Sequence, residues 1–238
     1  DRVRVLQNGV GAIDASTASP DHAVTADGLD AERIEVLRGA AALAYGGNAI
    51  GGVVNVIDQS IPTGAIAAPA FSGLAGYSSV DNGTQANANL GFGAGDLSFH
   101  LSAASRDTDN YDTPIGEAPN SWTDLTTYAI GASLARDWGF GGVAVKRTED
   151  NYGLLPEGAG EPGGHIEMAQ TRIETRGDVR INVGPFDRLD WGAQTSDYEH
   201  TEFEGDGAPG TRFTSEGWEA RLEAHHSDEQ LQGAIGLQ

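Results

Sequence analysis

Six side chains in this sequence are of types that can ligate a metal ion. Asp21 and His22 are adjacent, His165 follows a long acidic segment, and His200, Glu202 and Glu204 recur at every second position. Imidazole nitrogen suits zinc and copper, whereas carboxylate oxygen suits harder ions, so a mixed set leaves the selectivity of any such site open. An Asp-His pair in a loop is equally what a solvated turn looks like. No covalent chemistry accompanies these residues. The chain has no cysteine, no nucleophile with a nearby base, and no phosphate loop of the Gly-Lys-Ser/Thr type. Gly91-Phe-Gly93-Ala-Gly95 lies in alternating sequence and not ahead of a helix, which removes the nucleotide reading. The expectation is a protein that binds or transports, not an enzyme.

The elements that must hold these residues divide at about residue 62. Arg33 to Arg38 alternates charged residues with Ile34 and Val36, as a strand with one wet and one dry face does. Gly39 ends it, Ala40 to Tyr45 is a short run of good helix formers closed by Gly46-Gly47, and Val53 to Ile57 reads as a short buried strand. Beyond Pro62 the period is two. Leu97, Phe99, Leu101 and Ala103 share one face against Ser98, His100 and Ser102. Ile173, Thr175, Gly177, Val179, Ile181 and Val183 alternate with Arg172, Glu174, Arg176, Asp178, Arg180 and Asn182. Leu189, Trp191 and Ala193 oppose Asp190 and Gln194, and Trp218, Ala220, Leu222 and Ala224 oppose Glu219, Arg221, Glu223 and His225.

A soluble sandwich would satisfy that alternation. The connections favour a membrane barrel. Those at Ala94–Asp96, Arg136–Gly139, Gly184–Asp187 and Ser227–Glu229 are tight, while those at Asp107–Ser121, Glu149–Gly164 and Phe203–Thr211 are long and acidic, with Val80–Thr84 a shorter first outer loop. Brief turns at one rim and extended loops at the other mark an outer-membrane barrel. If Leu189 and Trp191 face lipid, then His200, Glu202 and Glu204 face the lumen near the outer mouth, with His100 and His225 lumen-facing as well. Trp122, Trp138, Trp191 and Trp218 fit interface girdles or plain packing.

Composition agrees. The chain of 238 residues has a formal charge of -21 and 34 glycines, and no stretch approaches the roughly 20 apolar residues of a membrane helix. The charge disfavours nucleic acid and anionic membrane surfaces as partners, and favours cations. Asp107, Asp109, Asp112, Glu117 and Asp206 would form a negative funnel at the outer loops.

The order Glu32-Arg-Ile-Glu-Val-Leu-Arg-Gly39, Ala40-Ala-Ala-Leu-Ala-Tyr-Gly46 and Ile50-Gly-Gly-Val-Val-Asn-Val-Ile57 resembles the C-terminal half of the plug domain of TonB-dependent outer-membrane receptors. The resemblance implies a mixed fold: a partial α+β plug over residues 1–62, followed over 63–238 by an incomplete antiparallel transmembrane β-barrel of about nine of the 22 strands. It also implies an upstream plug half with a TonB-contacting segment and an export signal, so the chain is expected to be a fragment. The implied activity is import across the cell outer membrane, driven by TonB with ExbB and ExbD, with outer-membrane lipid around the barrel.

Ser19-Pro-Asp-His-Ala-Val-Thr25, Asn55-Val-Ile-Asp-Gln-Ser-Ile-Pro62, Asn151-Tyr-Gly-Leu154 and His165 to Arg172 resemble the zinc-uptake branch. That likeness puts Asp21 and His22 on an apical plug loop, and gives Asp21, His22, His165, His200, Glu202 and Glu204 as ligands for a transported zinc or other metal ion, with no resident cofactor. The branch often crowds its third outer loop with histidines; here that loop holds Asp150, Glu157, Glu161 and a single His165. Arg33, Glu35 and Arg38 are expected as a latch to lumen residues such as Glu174 or Glu219, because enclosed charge needs partners. The alternatives are a siderophore, haem or cobalamin receptor of the same fold, and a non-transporting acidic surface binding protein or adhesin.

Overall fold

The computed structural model describes residues 3–16, 22–46, 49–156, 158, 161–227 and 231–238, with the side chains of residues 41 and 43 excepted. An inner unit comprises β1 (Val3–Gln7), β2 (Val10–Gly11), β3 (Ala31–Leu37) and β4 (Gly52–Asp58), ordered β2-β1-β4-β3. Strands β1 and β4 are parallel, and the other pairings are antiparallel. Central β4 is rich in β-branched residues and buried along most of its length. Leu6, Ala42, Ala49 and Val53 pack into a core with Leu37 and Tyr45.

The helix-forming run between β3 and β4 is a 3₁₀ helix, Gly39–Tyr45. This corrects the α+β expectation: among the described residues the inner unit has no α-helix. Seven residues that begin at one left-handed glycine, Gly39 at φ 70°, and are followed by another, Gly46 at φ 96°, are too few to nucleate and propagate α-turns.

The wall is a nine-stranded antiparallel sheet in which strands neighbour one another in sequence order. Its members are β5 (Ala70–Ser78), β6 (Gly83–Ala94), β7 (Leu97–Thr108), β10 (Thr123–Arg136), β11 (Gly139–Gly153), β12 (His165–Val183), β13 (Phe186–Phe203), β14 (Pro209–Ser227) and β15 (Gln232–Leu237). The loop between β7 and β10 holds a small hairpin of β8 (Asp112–Thr113) and β9 (Gly116–Glu117). Short turns at 95–96, 137–138 and 184–185 all lie at one rim, and the longer connections at the other. The tight turn expected at Ser227–Glu229 falls partly outside the described residues.

The wall is polar inside and apolar outside. On β12 the charged Arg172 and Glu174 are 3% and 6% exposed, while Ile173 between them is 49% exposed. Tyr128, Ile130, Val143, Val145, Trp218 and Leu222 likewise point outward and are exposed, whereas Lys146, Gln170 and Gln194 are buried. Water would not select that polarity; lipid outside and a polar lumen would. Trp191 lies across Gly177 of the adjacent strand, where a side chain would collide with its ring, and reaches Gly141 of the strand beyond.

Charge joins the two parts. Lys146 Nζ of β11 meets Asp30 Oδ2 at 2.5 Å and Asp58 Oδ2 at 3.5 Å. Arg4 pairs with Glu219 at 2.5 Å, and Arg106 with Asp27 at 2.8 Å. Asn8 Nδ2 and Ser60 Oγ donate to Glu174 Oε1, and Arg176 donates to the carbonyls of Asp58 and Ile61. Gly131 lets the Ser60 carbonyl press against the wall, where a Cβ would collide with it. Glu174 and Glu219 thus accept from the inner unit, as expected, but not from the expected donors. Arg33 and Glu35 pair with each other at 2.9 Å on edge strand β3, and Arg38 is exposed. The latch is a correction: its donors are Arg4, Asn8 and Ser60, whose strands or segments face the wall, whereas β3 lies on the far side of β4.

Asp30 and Asp58 respond differently to the same lysine. Burial raises Asp30, and attraction by Lys146 only partly offsets it. Burial also acts on Asp58, but Lys146 together with hydrogen bonds from Ser60 and Asn8 outweighs it, so its carboxyl is held well below the usual range. A depressed carboxylate stabilises the fold above its unfolded value near pH 4, and that contribution is lost as pH falls through the lowered folded value. Lys146→Met strands two buried carboxylates and is expected to destabilise the protein by about 3–5 kcal/mol. Denaturant unfolding in detergent at pH 7 checks this; a loss under about 1 kcal/mol would mean that the triad contributes no more than an exposed pair.

Candidate functional site

Of the segment between β2 and β3, residues 12–16 and 22–30 are described, and they are pinned on both sides of His22. Asp14 ties its base: Oδ1 accepts from Ser16 N and Oγ, and Oδ2 accepts from Thr25 N and Oγ1. Gln170 of the wall donates to the Ile13 carbonyl, and Ala23 N donates to the Tyr152 hydroxyl at 2.9 Å. His22 is thereby presented to β13, where alternation brings Gln194, Ser196, Tyr198 and His200 to the inner face.

Three of the six expected ligands converge. His22 Nε2 lies 3.2 Å from His200 Nε2 and 3.3 Å from Glu202 Oε1, and His200 Nε2 lies 3.6 Å from the same oxygen. The His200 side chain is 1% exposed and that of His22 9%, while Glu202, at 36%, remains open to solvent. The triangle has the dimensions of a coordination shell: ligand bonds of 2.0–2.1 Å in a tetrahedron set donors about 3.3 Å apart. Two nitrogens and one oxygen occupy one face of that tetrahedron, which leaves a position for water or a further ligand.

Tyr198 was not anticipated from sequence. Its hydroxyl lies 2.9 Å from His200 Nδ1. When Nδ1–H donates to that oxygen, Nε2 presents its lone pair to an ion, the arrangement that fixes tautomer and ring orientation in metal sites. Phe213, directly across on β14, stacks on the His200 ring at 5.4 Å and 16°. The signal was available: Tyr198 is two residues from His200 and therefore on its face.

The other expected ligands fare differently. Asp21 lies outside the described residues. Glu204 lines, with Glu202, Glu161, Tyr152 and Phe203, a cavity of about 690 Å³ beside the triangle, but is not part of it. His165 is on the opposite face of the wall, stacked on Phe203 at 4.6 Å and 3.8 Å from Glu167. Expected in the outer loop, His165 is instead the first residue of β12, and Ile166 beside it turns inward.

Residues 1–53 match the TonB-dependent Receptor Plug Domain family. Solved structures extend the likeness across the wall. The FrpB iron transporter from Neisseria meningitidis superposes with a TM-score of 0.70 at 16% identity, over 99% of this chain and 40% of that one. The chain has the fold of the matching two fifths of that transporter, and its first 53 residues are of the TonB-dependent receptor plug type. The copper transporter OprC gives 0.71 at 10% identity over 99% and 37%, and the siderophore receptor PirA from Acinetobacter baumannii 0.61 at 17% over 99% and 39%. The chain spans about two fifths of the length of these receptors. Their names attach to transport and reception, not to catalysis, and their stated cargoes differ from one another.

Tyr198→Phe removes the acceptor for His200 Nδ1–H and is expected to weaken Zn²⁺ binding at the triangle by about 10- to 100-fold, with His165→Ala without effect. Calorimetric titration of the detergent-solubilised protein reads both; equal affinities for wild type and Tyr198→Phe would show that this hydroxyl does not orient the site.

Proposed function

We propose that this chain forms the C-terminal half of a plug, residues 1–62, and the first part of the barrel, residues 63–238, of a TonB-dependent receptor in the outer membrane that imports a transition-metal ion, zinc foremost. The observation that carries this reading is the triangle of His22, His200 and Glu202, two imidazoles and a carboxylate at coordination spacing. Asp21, beside His22 in sequence, is the proposed fourth ligand. Both donor types suit zinc, and the two nitrogens favour it over harder ions.

The division of the site gives import its physical basis. One ligand belongs to the plug and two to the wall, so displacement of the plug loop by force from TonB, powered through ExbB and ExbD, pulls His22 from the other two and breaks the shell. Release then needs no separate trigger. The acidic outer loops raise the local cation concentration ahead of the site, and Glu161, Glu202 and Glu204 in the adjoining cavity continue that path inward. Glu204 guides the ion in this scheme rather than holding it.

The test is uptake. The natural gene, expressed in cells lacking their own zinc receptor, is expected to restore labelled-zinc uptake only when TonB is present, and His22→Ala or His200→Ala is expected to lower it about tenfold or more. Full uptake by both variants would remove the site. A receptor present in the membrane that carries no zinc would overturn the ion assignment in favour of a siderophore, haem or cobalamin cargo.

A further inference from the structure

The lumen face of β12, β13 and β14 is built in rows that follow the strand register. Glu174, Gln194 and Glu219 form one row, then Arg176, Gly192 and Arg221, then Asp178, Asp190 and Glu223, then Arg180, Arg188 and His225 toward the short turns. The plug engages the first two rows: Glu174 and Glu219 accept from it, Arg176 donates to its carbonyls, and Arg221 lies 4.2 Å from the centre of the Tyr45 ring. The third and fourth rows pair within the wall instead.

The third row sets three carboxylates side by side across neighbouring strands, an arrangement that repels unless cations answer it. Arg188 Nη2 meets Asp190 Oδ2 at 2.7 Å, and Arg221 Nη2 meets Glu223 Oε1 at 2.6 Å. His225 Nε2 is 2.7 Å from Asp190 Oδ2, and donor atoms of Asp190, Glu223 and His225 all lie within 4.8 Å of one another. The second oxygen of Asp190 is buried with no hydrogen-bond partner among the described residues, where an unmet acceptor is costly. A cavity of about 640 Å³, lined by Arg188, His225 and His226, adjoins the group at the short-turn rim.

We propose that Asp190, Glu223 and His225 bind a divalent first-row transition-metal ion, forming a second cargo site at the end of the lumen opposite the mouth. It rests on the reading of the cargo as a metal ion. Asp190 and His200 are ten residues apart on β13, about 33 Å along the strand, so the two sites are separate and face opposite ends of the transport path. Arg188 occupies Asp190 when the ion is absent. It can yield, because Asp178 Oδ2 lies 3.7 Å from its Nε and keeps it partnered. Exchange of one cation for another makes this site weaker than the mouth, as befits a point of departure.

Zn²⁺ alone, titrated calorimetrically into the metal-free protein expressed from its natural gene and purified in detergent, tests this. Wild type is expected to bind at a tight and a weaker site. Asp190→Asn with His225→Ala removes the weaker and leaves the tight one; His22→Ala with His200→Ala does the reverse; Arg188→Gln tightens the weaker site severalfold. Heat-modifiable migration verifies that each variant is folded, and Glu223→Gln provides a milder second lesion. Retention of both sites in Asp190→Asn with His225→Ala, or an Arg188→Gln variant whose weaker site is unchanged, overturns the proposal. Loss of binding only in the Asp190 and His225 variant would uphold this site while removing the mouth site.

Discussion

Buried charge must find a partner, and in this chain the partners lie across the seam between plug and wall. Lys146 of the wall is enclosed with Asp30 and Asp58 of the inner unit, and Arg4 of the inner unit pairs with Glu219 of the wall. Neither part could bury these groups by itself without leaving uncompensated ions in a poorly hydrated place. The outward face obeys the opposite constraint, since lipid tolerates Ile130, Val143 and Ile173 but not the residues between them. Period-two alternation reconciles the two demands on a single strand.

The same seam creates the candidate site. A loop held at Asp14, Ala23 and Asp27 can carry an imidazole to the wall with little freedom to retreat, and β13 answers with a second imidazole whose far nitrogen is engaged by Tyr198. In the proposed reading, metal affinity and plug position are therefore coupled: whatever holds the loop against β13 preserves the triangle, and whatever draws it away opens it. That coupling is what a gated importer requires, and it follows from where the ligands are anchored, not from their identity alone.

Much of this was legible in the sequence. Parity placed His200 and Glu202 inward, because a strand has only two faces and Leu189 and Trp191 declare the outer one. Loop asymmetry separated the rims. Partner choice was not legible. Arg33, Glu35 and Arg38 look like a latch from their charge, but which strand of a small sheet meets the wall depends on the order β2-β1-β4-β3, which alternation does not encode. His165 reads as the last residue of the outer loop, whereas β12 begins at it and turns it outward. The 3₁₀ form of the Gly39–Tyr45 segment reflects its length and its flanking glycines more than its alanines.

The most direct measurement is X-ray absorption at the zinc edge on protein loaded with one equivalent of Zn²⁺. Zinc held between plug and wall would show four light-atom ligands at about 2.0 Å, with the outer-shell scattering of two imidazoles. A shell of oxygen donors without imidazole scattering would contradict that placement, because zinc would then be held by the acidic loops and not between the plug and the wall.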